Sequence, residues 1–168
     1  GNRFDLIVFD WDGTLMDSTA AITSAIRSAC ADLGVRVPSV EKARHVIGMG
    51  LIDALRYAVP ELDEADYPRL AERYRFHYLA GGHELVLFDG IEELLKVLRG
   101  QGYRLAIATG KSRRGLNSVL AQTGLAPHFD ATRCADECFS KPHPAMLLEL
   151  MEELDVEPER TLMIGDTS

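Results

Sequence analysis

Long apolar runs are missing from this 168-residue chain, and none approaches the ~20 residues that a bilayer-spanning helix requires. A membrane protein is therefore not expected. Basic residues are also scarce: 18 Lys+Arg stand against 26 Asp+Glu, giving a formal net charge of −8. A surface of that sign does not displace counterions from a phosphate backbone, so nonspecific nucleic-acid binding is not expected either. Three cysteines are too few for a disulfide scaffold, and Cys134 and Cys138 form a lone C-x₃-C where a structural zinc needs about four ligands. Internal repeats, low-complexity tracts and long charge blocks are absent. The opening GNRFD carries no charged-then-apolar leader, which points to the cytoplasm. The 46% share of hydrophobic residues is that of a globular chain able to bury a core.

Four short apolar runs stand out: Phe4–Phe9, Tyr103–Ala108, Phe129–Cys134 and Thr161–Ile164. The first and last are nearly continuous, as strands covered on both faces of a parallel sheet are. Between the later runs lie helical stripes: Ile91, Leu94, Leu95, Leu98; then Leu116, Val119, Leu120; then Met146, Leu147, Leu150, Met151, Leu154. This alternation predicts an α/β fold with a Rossmann-like, doubly wound parallel sheet. The stretch 17–88 breaks the rhythm with helical patterns alone, too long for one crossover. It reads as an all-helical cap inserted after the first strand. The expected division is a core of residues 2–16 and 89–168 with a cap of residues 17–88, and hinges near 15–18 and 81–89.

Polar groups gather where the strands end. Asp10 follows FDLIVF, Thr109 follows YRLAIA, Lys141 follows the third strand, and Asp166 follows TLMIG. Ligands of open parallel sheets bind beyond the carboxyl ends of the strands, so these groups converge on one crevice. In Asp10-Trp11-Asp12-Gly13-Thr14, two carboxylates two residues apart repel unless a cation or a shared proton relieves them. Asp10 is accordingly expected to bind a hard divalent ion, Mg²⁺ by the preference of carboxylate oxygens, with Asp12 protonated for part of a cycle. Gly13 lets the chain turn and its freed amides meet an anion. Thr109-Gly110-Lys111, at a strand–helix junction, makes an anion seat. Lys111 and Arg113 are candidate substrate contacts, Lys141 is a point charge for phosphate, and Asp166 is a third carboxylate for the metal. An Asp-Gly turn with capping aspartates would explain the first cluster as well, and solvated surface side chains would explain the basic residues.

Asp10-Trp11-Asp12-Gly13-Thr14, Thr109, Lys141-Pro142 and Gly165-Asp166-Thr167 resemble the four ordered motifs of the haloacid dehalogenase superfamily. The helical insertion is similar to the cap of its phosphoglycolate phosphatase-like and β-phosphoglucomutase-like members. The resemblance spans essentially the whole chain. It implies an aspartyl-phosphate at Asp10, acid/base work at Asp12, a phosphoryl group held by Thr14, Thr109, Gly110 and Lys141, and Mg²⁺ on Asp10, Asp166 and the main-chain carbonyl of Asp12. It thereby implies a phosphatase for a small phosphorylated metabolite, such as a phosphoglycolate-like monoester. A sugar phosphomutase, a phosphonate hydrolase using Lys42 and a non-catalytic phosphate-binding module are the alternatives. The family carries a further acidic residue after Gly-Asp, and TLMI has no following helix here, so a C-terminal βα unit is expected to be missing. The five histidines, Trp11, and Tyr67, Tyr74 and Tyr78 read as packing or surface. Gly48-Met49-Gly50 reads as a cap corner that faces the site when closed. Neither the substrate nor the oligomeric state is written in any motif.

Overall fold

A computed structural model describes residues 3–80, 87–138 and 143–165. Among them, four parallel strands form one sheet: β1 (Leu6–Phe9), β2 (Arg104–Thr109), β3 (Ala131–Cys134) and β4 (Thr161–Ile164). Their spatial order is β3-β2-β1-β4, with Leu6 opposite both Arg104 and Thr161. The chain therefore winds outward from β1 to β3 and then jumps back across β1 to place β4. That reversal opens a crevice at the carboxyl end of β1, where ligands of such sheets sit.

The pleat of β1 explains its composition. All four residues are buried, with Ile7 and Phe9 on one face and Leu6 and Val8 on the other. The first face packs with α5 (Ile91–Gly100) and α6 (Arg113–Thr123) through Leu95, Leu116 and Leu120. The second packs with α7 (His143–Leu154) through Met146 and Leu150. Strands buried on both sides need continuous apolar runs, and β1 has one. Edge strand β4 is only partly covered, and Ile164 remains 37% exposed.

Four further helices lie between β1 and α5: α1 (Thr19–Leu33), α2 (Val40–Arg44), α3 (Leu51–Ala58) and α4 (Tyr67–Ala80). They share a separate core of Ile22, Ile26, Leu55, Tyr67 and Leu70 among others. α1 ends at Gly34, whose φ of 68° supplies the left-handed cap, and α3 ends before Pro60. The two connections run side by side: Met16 bridges Leu87, and Phe88 N–H donates to the Leu15 carbonyl at 3.1 Å. None of the described helices is long and apolar enough to cross a membrane. Burial pushes the thiol of Cys30 up to about 11 and that of Cys134 up to about 12, so neither is a ready thiolate.

The α1–α4 seam carries an ion cluster. Asp32 Oδ2 accepts from Arg73 at 3.0 and 2.8 Å and meets His77 Nε2 at 2.6 Å. The His77 bond, then the Arg73 bond, hold the Asp32 carboxyl below its usual 3.8. A lowered carboxyl stabilises the fold fully above its unfolded value and ceases to do so as pH falls through the folded one. Asp32→Asn should therefore lower the melting temperature modestly at pH 7, with the gap closing as pH drops below about 3.8. Calorimetry of both proteins across pH checks this.

Candidate active site

The end of β1 is built around one carbonyl. Trp11 C=O accepts from the amides of Thr14, Leu15 and Met16 at 3.0–3.3 Å, while Gly13, at φ 81°, donates its N–H to Met16. This tight turn needs a residue free of side-chain clash at Gly13. It fixes Asp10 and Asp12 on consecutive outward positions, 2% and 8% exposed. The intervening Trp11 points into the sheet core, packed with Phe9 and Leu95. Asp10 N–H continues the strand ladder to the Ile164 carbonyl at 3.0 Å.

Each aspartate has its own surroundings. Gly165, at the end of β4, lies so near Asp10 that a Cβ there would stand 2.8 Å from Oδ2. A side chain on Gly165 would collide with that oxygen. Buried carboxylate oxygens of this kind suit a hard divalent cation. Asp12 accepts from the Ser18 hydroxyl at 2.7 Å, and the Lys111 ammonium sits 3.6 Å from its Oδ2. Burial works to lower the Lys111 pKa, but Asp12 and then Tyr78 outweigh it and hold the ammonium above its usual 10.5. Lys111 therefore stays charged. Its ammonium also lies 5.4 Å from the ring centroid of Tyr78 on α4.

Thr109 is 2% exposed and its Oγ1 accepts from the Lys111 amide at 3.1 Å. Its hydroxyl hydrogen is then available to a ligand oxygen. Thr14 Oγ1 is buried without a partner among the described residues, which is how a hydroxyl waiting for an anion reads. Gly110 abuts the main chain of Gly48 and Met49. Asp10, Asp12, Thr14, Thr109, Gly110 and Lys111 thus share the same end of the sheet. Lys141 and Asp166 lie outside the described residues.

Arg113 goes elsewhere. It donates to Glu137 and to the hydroxyl and carbonyl of Thr132, and its amide donates to Asp136. The Glu137 bond leads in holding its guanidinium above the usual value. A cation in the first turn of α6 opposes the helix dipole, and these carboxylates offset that cost. Two residues not singled out by motif reading belong to the site. Ser18 sits at the N-cap of α1 but makes no capping bond, because its hydroxyl is committed to Asp12. Tyr78, expected as packing, stacks with Tyr74 at 5.8 Å and also faces Lys111. Burial, with Asp12 and Tyr78 close by, pushes the Tyr74 phenol far up. A serine before a helix and a tyrosine at helical spacing are both ordinary in a sequence, so neither carried a signal of its place in the site.

A parallel sheet that reverses beside β1, with a buried aspartate pair at that point, is a doubly wound α/β fold with its acidic groups at the ligand crevice. The chain belongs to the haloacid dehalogenase-like hydrolases, whose family model matches residues 7–168. It is 36% identical over 170 residues to the tyrosine-protein kinase PtkA of Mycobacterium tuberculosis, covering 100% of this chain and 57% of that protein. It is 32% identical over 168 residues to a phosphoglycolate phosphatase of Agrobacterium fabrum, covering 96% of this chain and 72% of that one. A haloacid dehalogenase-like hydrolase structure from Streptococcus pneumoniae superposes with a TM-score of 0.82 at 26% identity, covering 99% of this chain and 77% of that chain. The chain thus spans little more than half the length of the PtkA proteins that it matches.

Removing the Ser18 donor should be felt at Asp12. Ser18→Ala is expected to destabilise the fold by about 1–3 kcal/mol, the cost of a buried hydrogen bond to a charged group. Urea unfolding at neutral pH measures it.

Proposed function

We propose that this chain carries the catalytic core of a Mg²⁺-dependent phosphatase for a small phosphorylated metabolite, working through an aspartyl-phosphate at Asp10. Residues 2–16 and 89–168 form its core and residues 17–88 its cap. The observation that carries the reading is the buried pair itself. Asp10 and Asp12 sit side by side at the switch point, Asp12 beside the Ser18 hydroxyl and the Lys111 ammonium and Asp10 against Gly165 at the end of β4. Two like groups in unlike surroundings divide into nucleophile and acid/base.

In the first step an Asp10 carboxylate oxygen bonds to phosphorus, the bond to the leaving alkoxide breaks, and Asp12 gives that oxygen its proton. In the second step Asp12 takes a proton from water, whose oxygen attacks phosphorus. The Asp10–phosphorus bond breaks, and inorganic phosphate leaves. Thr14, Thr109, Gly110 and Lys141 hold the phosphoryl oxygens. Asp10, the Asp12 carbonyl and Asp166 would hold Mg²⁺, which when bound supplies positive charge against the phosphate dianion. Lys111, rather than Arg113, reaches the substrate, because the Arg113 guanidinium is spent on Glu137 and Thr132.

A second reading has one observation behind it. A relative at 36% identity is named a tyrosine-protein kinase, and Tyr78 stands beside Lys111 at the Asp12 end of the site. The same aspartyl-phosphate would then pass its phosphoryl group to a phenolic oxygen instead of water, with the phenol proton going to Asp12. Phosphotyrosine on the chain or on an added tyrosyl peptide, rather than free phosphate, would favour it.

The first reading is tested with an aryl phosphate substrate. Asp10→Asn should abolish phosphate release, and Asp12→Asn should slow it by about 10³-fold or more. A chelator should stop the reaction and added Mg²⁺ restore it. Unchanged turnover in Asp10→Asn would sink the assignment.

A further inference from the structure

Gly110 follows Thr109 in the proposed phosphoryl seat, yet what surrounds it belongs to the helical insert. A Cβ built on Gly110 would stand 2.3 Å from the Met49 carbonyl oxygen, 2.5 Å from the Met49 carbonyl carbon and 2.7 Å from the Gly48 carbonyl oxygen. All three are main-chain atoms, which cannot rotate aside as a side chain can. The Gly110 φ lies outside the left-handed region, unlike that of Gly34, Gly90 or Gly124. An L side chain would therefore meet no backbone strain there, and the collision with residues 48 and 49 is what a larger residue would encounter first.

Those two carbonyls are fixed within the insert. Met49 N–H donates to the Val46 carbonyl at 3.0 Å, and Gly50 opens α3 by accepting from Ala54 at 2.9 Å. Val46 and Ile47 are 2% and 3% exposed in the core shared by α1–α4. The corner can yield to Gly110 only by moving with the whole helical unit. The paired connections at Met16–Leu87 and Leu15–Phe88 supply a place for that movement. Next in the chain, Lys111 carries the other contact, under Tyr78.

We propose that Gly110 is a positioning residue that admits the closed cap: its bare Cα is the surface on which the Gly48–Met49 carbonyls seat, and any side chain there props the cap open. The kinetic part rests on the phosphatase reading, since closure is needed only if water must be kept from the reacting phosphoryl group.

The test compares Gly110→Ala with Gly100→Ala, a helix-end glycine with nothing within 4 Å of its built Cβ. Both should fold with the helix content of the parent by circular dichroism. Gly110→Ala alone should show a larger radius of gyration by small-angle scattering and roughly tenfold or faster amide exchange over residues 46–51. Its aryl phosphate kcat/KM should fall by about 10²-fold, as misplaced catalytic geometry does. Parent-like scattering and exchange in Gly110→Ala would overturn the proposal, whatever the rate. Failure of that variant to fold would overturn it too, because a cap free to lift would have relieved the collision. Absence of phosphate release in the parent protein would instead sink the phosphatase reading and leave the scattering and exchange results to judge Gly110.

Discussion

Two carboxylates buried within two residues of one another at the end of β1 set the terms for everything near them. Like charges in a low-dielectric site cost several kcal/mol unless they are compensated or one is protonated. The protein compensates unevenly. Asp12 has the Ser18 hydroxyl at 2.7 Å and the Lys111 ammonium at 3.6 Å. Asp10 lies against Gly165, which contributes no side chain to its Oδ2. The asymmetry is chemical before it is functional, because Asp12 is paired with a cation and a hydroxyl while Asp10 is packed against the backbone of Gly165.

The helical insert takes part in that compensation. Ser18 stands just before the insert's leading helix, and Tyr78 comes from its last, so both ends of the insert reach the Asp12 end of the site. Lys111 is the joint between the two bodies, pairing with Asp12 below and meeting Tyr78 above. A lysine buried this far loses hydration, and Asp12 with Tyr78 keeps it charged. The insert and the acid pair are therefore coupled electrostatically as well as sterically.

Much of this was legible in the residues, and the rest failed for identifiable reasons. The order of apolar runs gives the four strands, with starts shifted by two residues at β1 and β3, because Phe4 and Phe129 are apolar without entering the ladder. Glycine and proline punctuation gives the ends of α1, α3 and α4 closely. The aspartates and Thr109 are readable because strand ends and ligand crevices coincide in this topology. Tyr78 was not, since periodicity shows which face of a helix is apolar and not whether that face meets its own bundle or a neighbouring body. Arg113 misleads for a similar reason: its place beside an anion seat is visible in the sequence, whereas Glu137, twenty-four positions on, is joined to it only by the fold.

Glycine does two different jobs around this crevice, and the distinction bears on how such a site can vary. At Gly13 the left-handed φ of 81° makes a side chain costly wherever its neighbours lie. At Gly110 and Gly165 the backbone would accept an alanine, and the obstruction comes from another part of the molecule: the Gly48 and Met49 carbonyls in one case, the Asp10 carboxylate in the other. A residue kept small by its own conformation reports on local folding. One kept small by a distant segment reports on an approach that the chain must be able to make. The second kind is therefore where substitution separates binding and closure from stability, because the fold can form without the approach while the chemistry cannot.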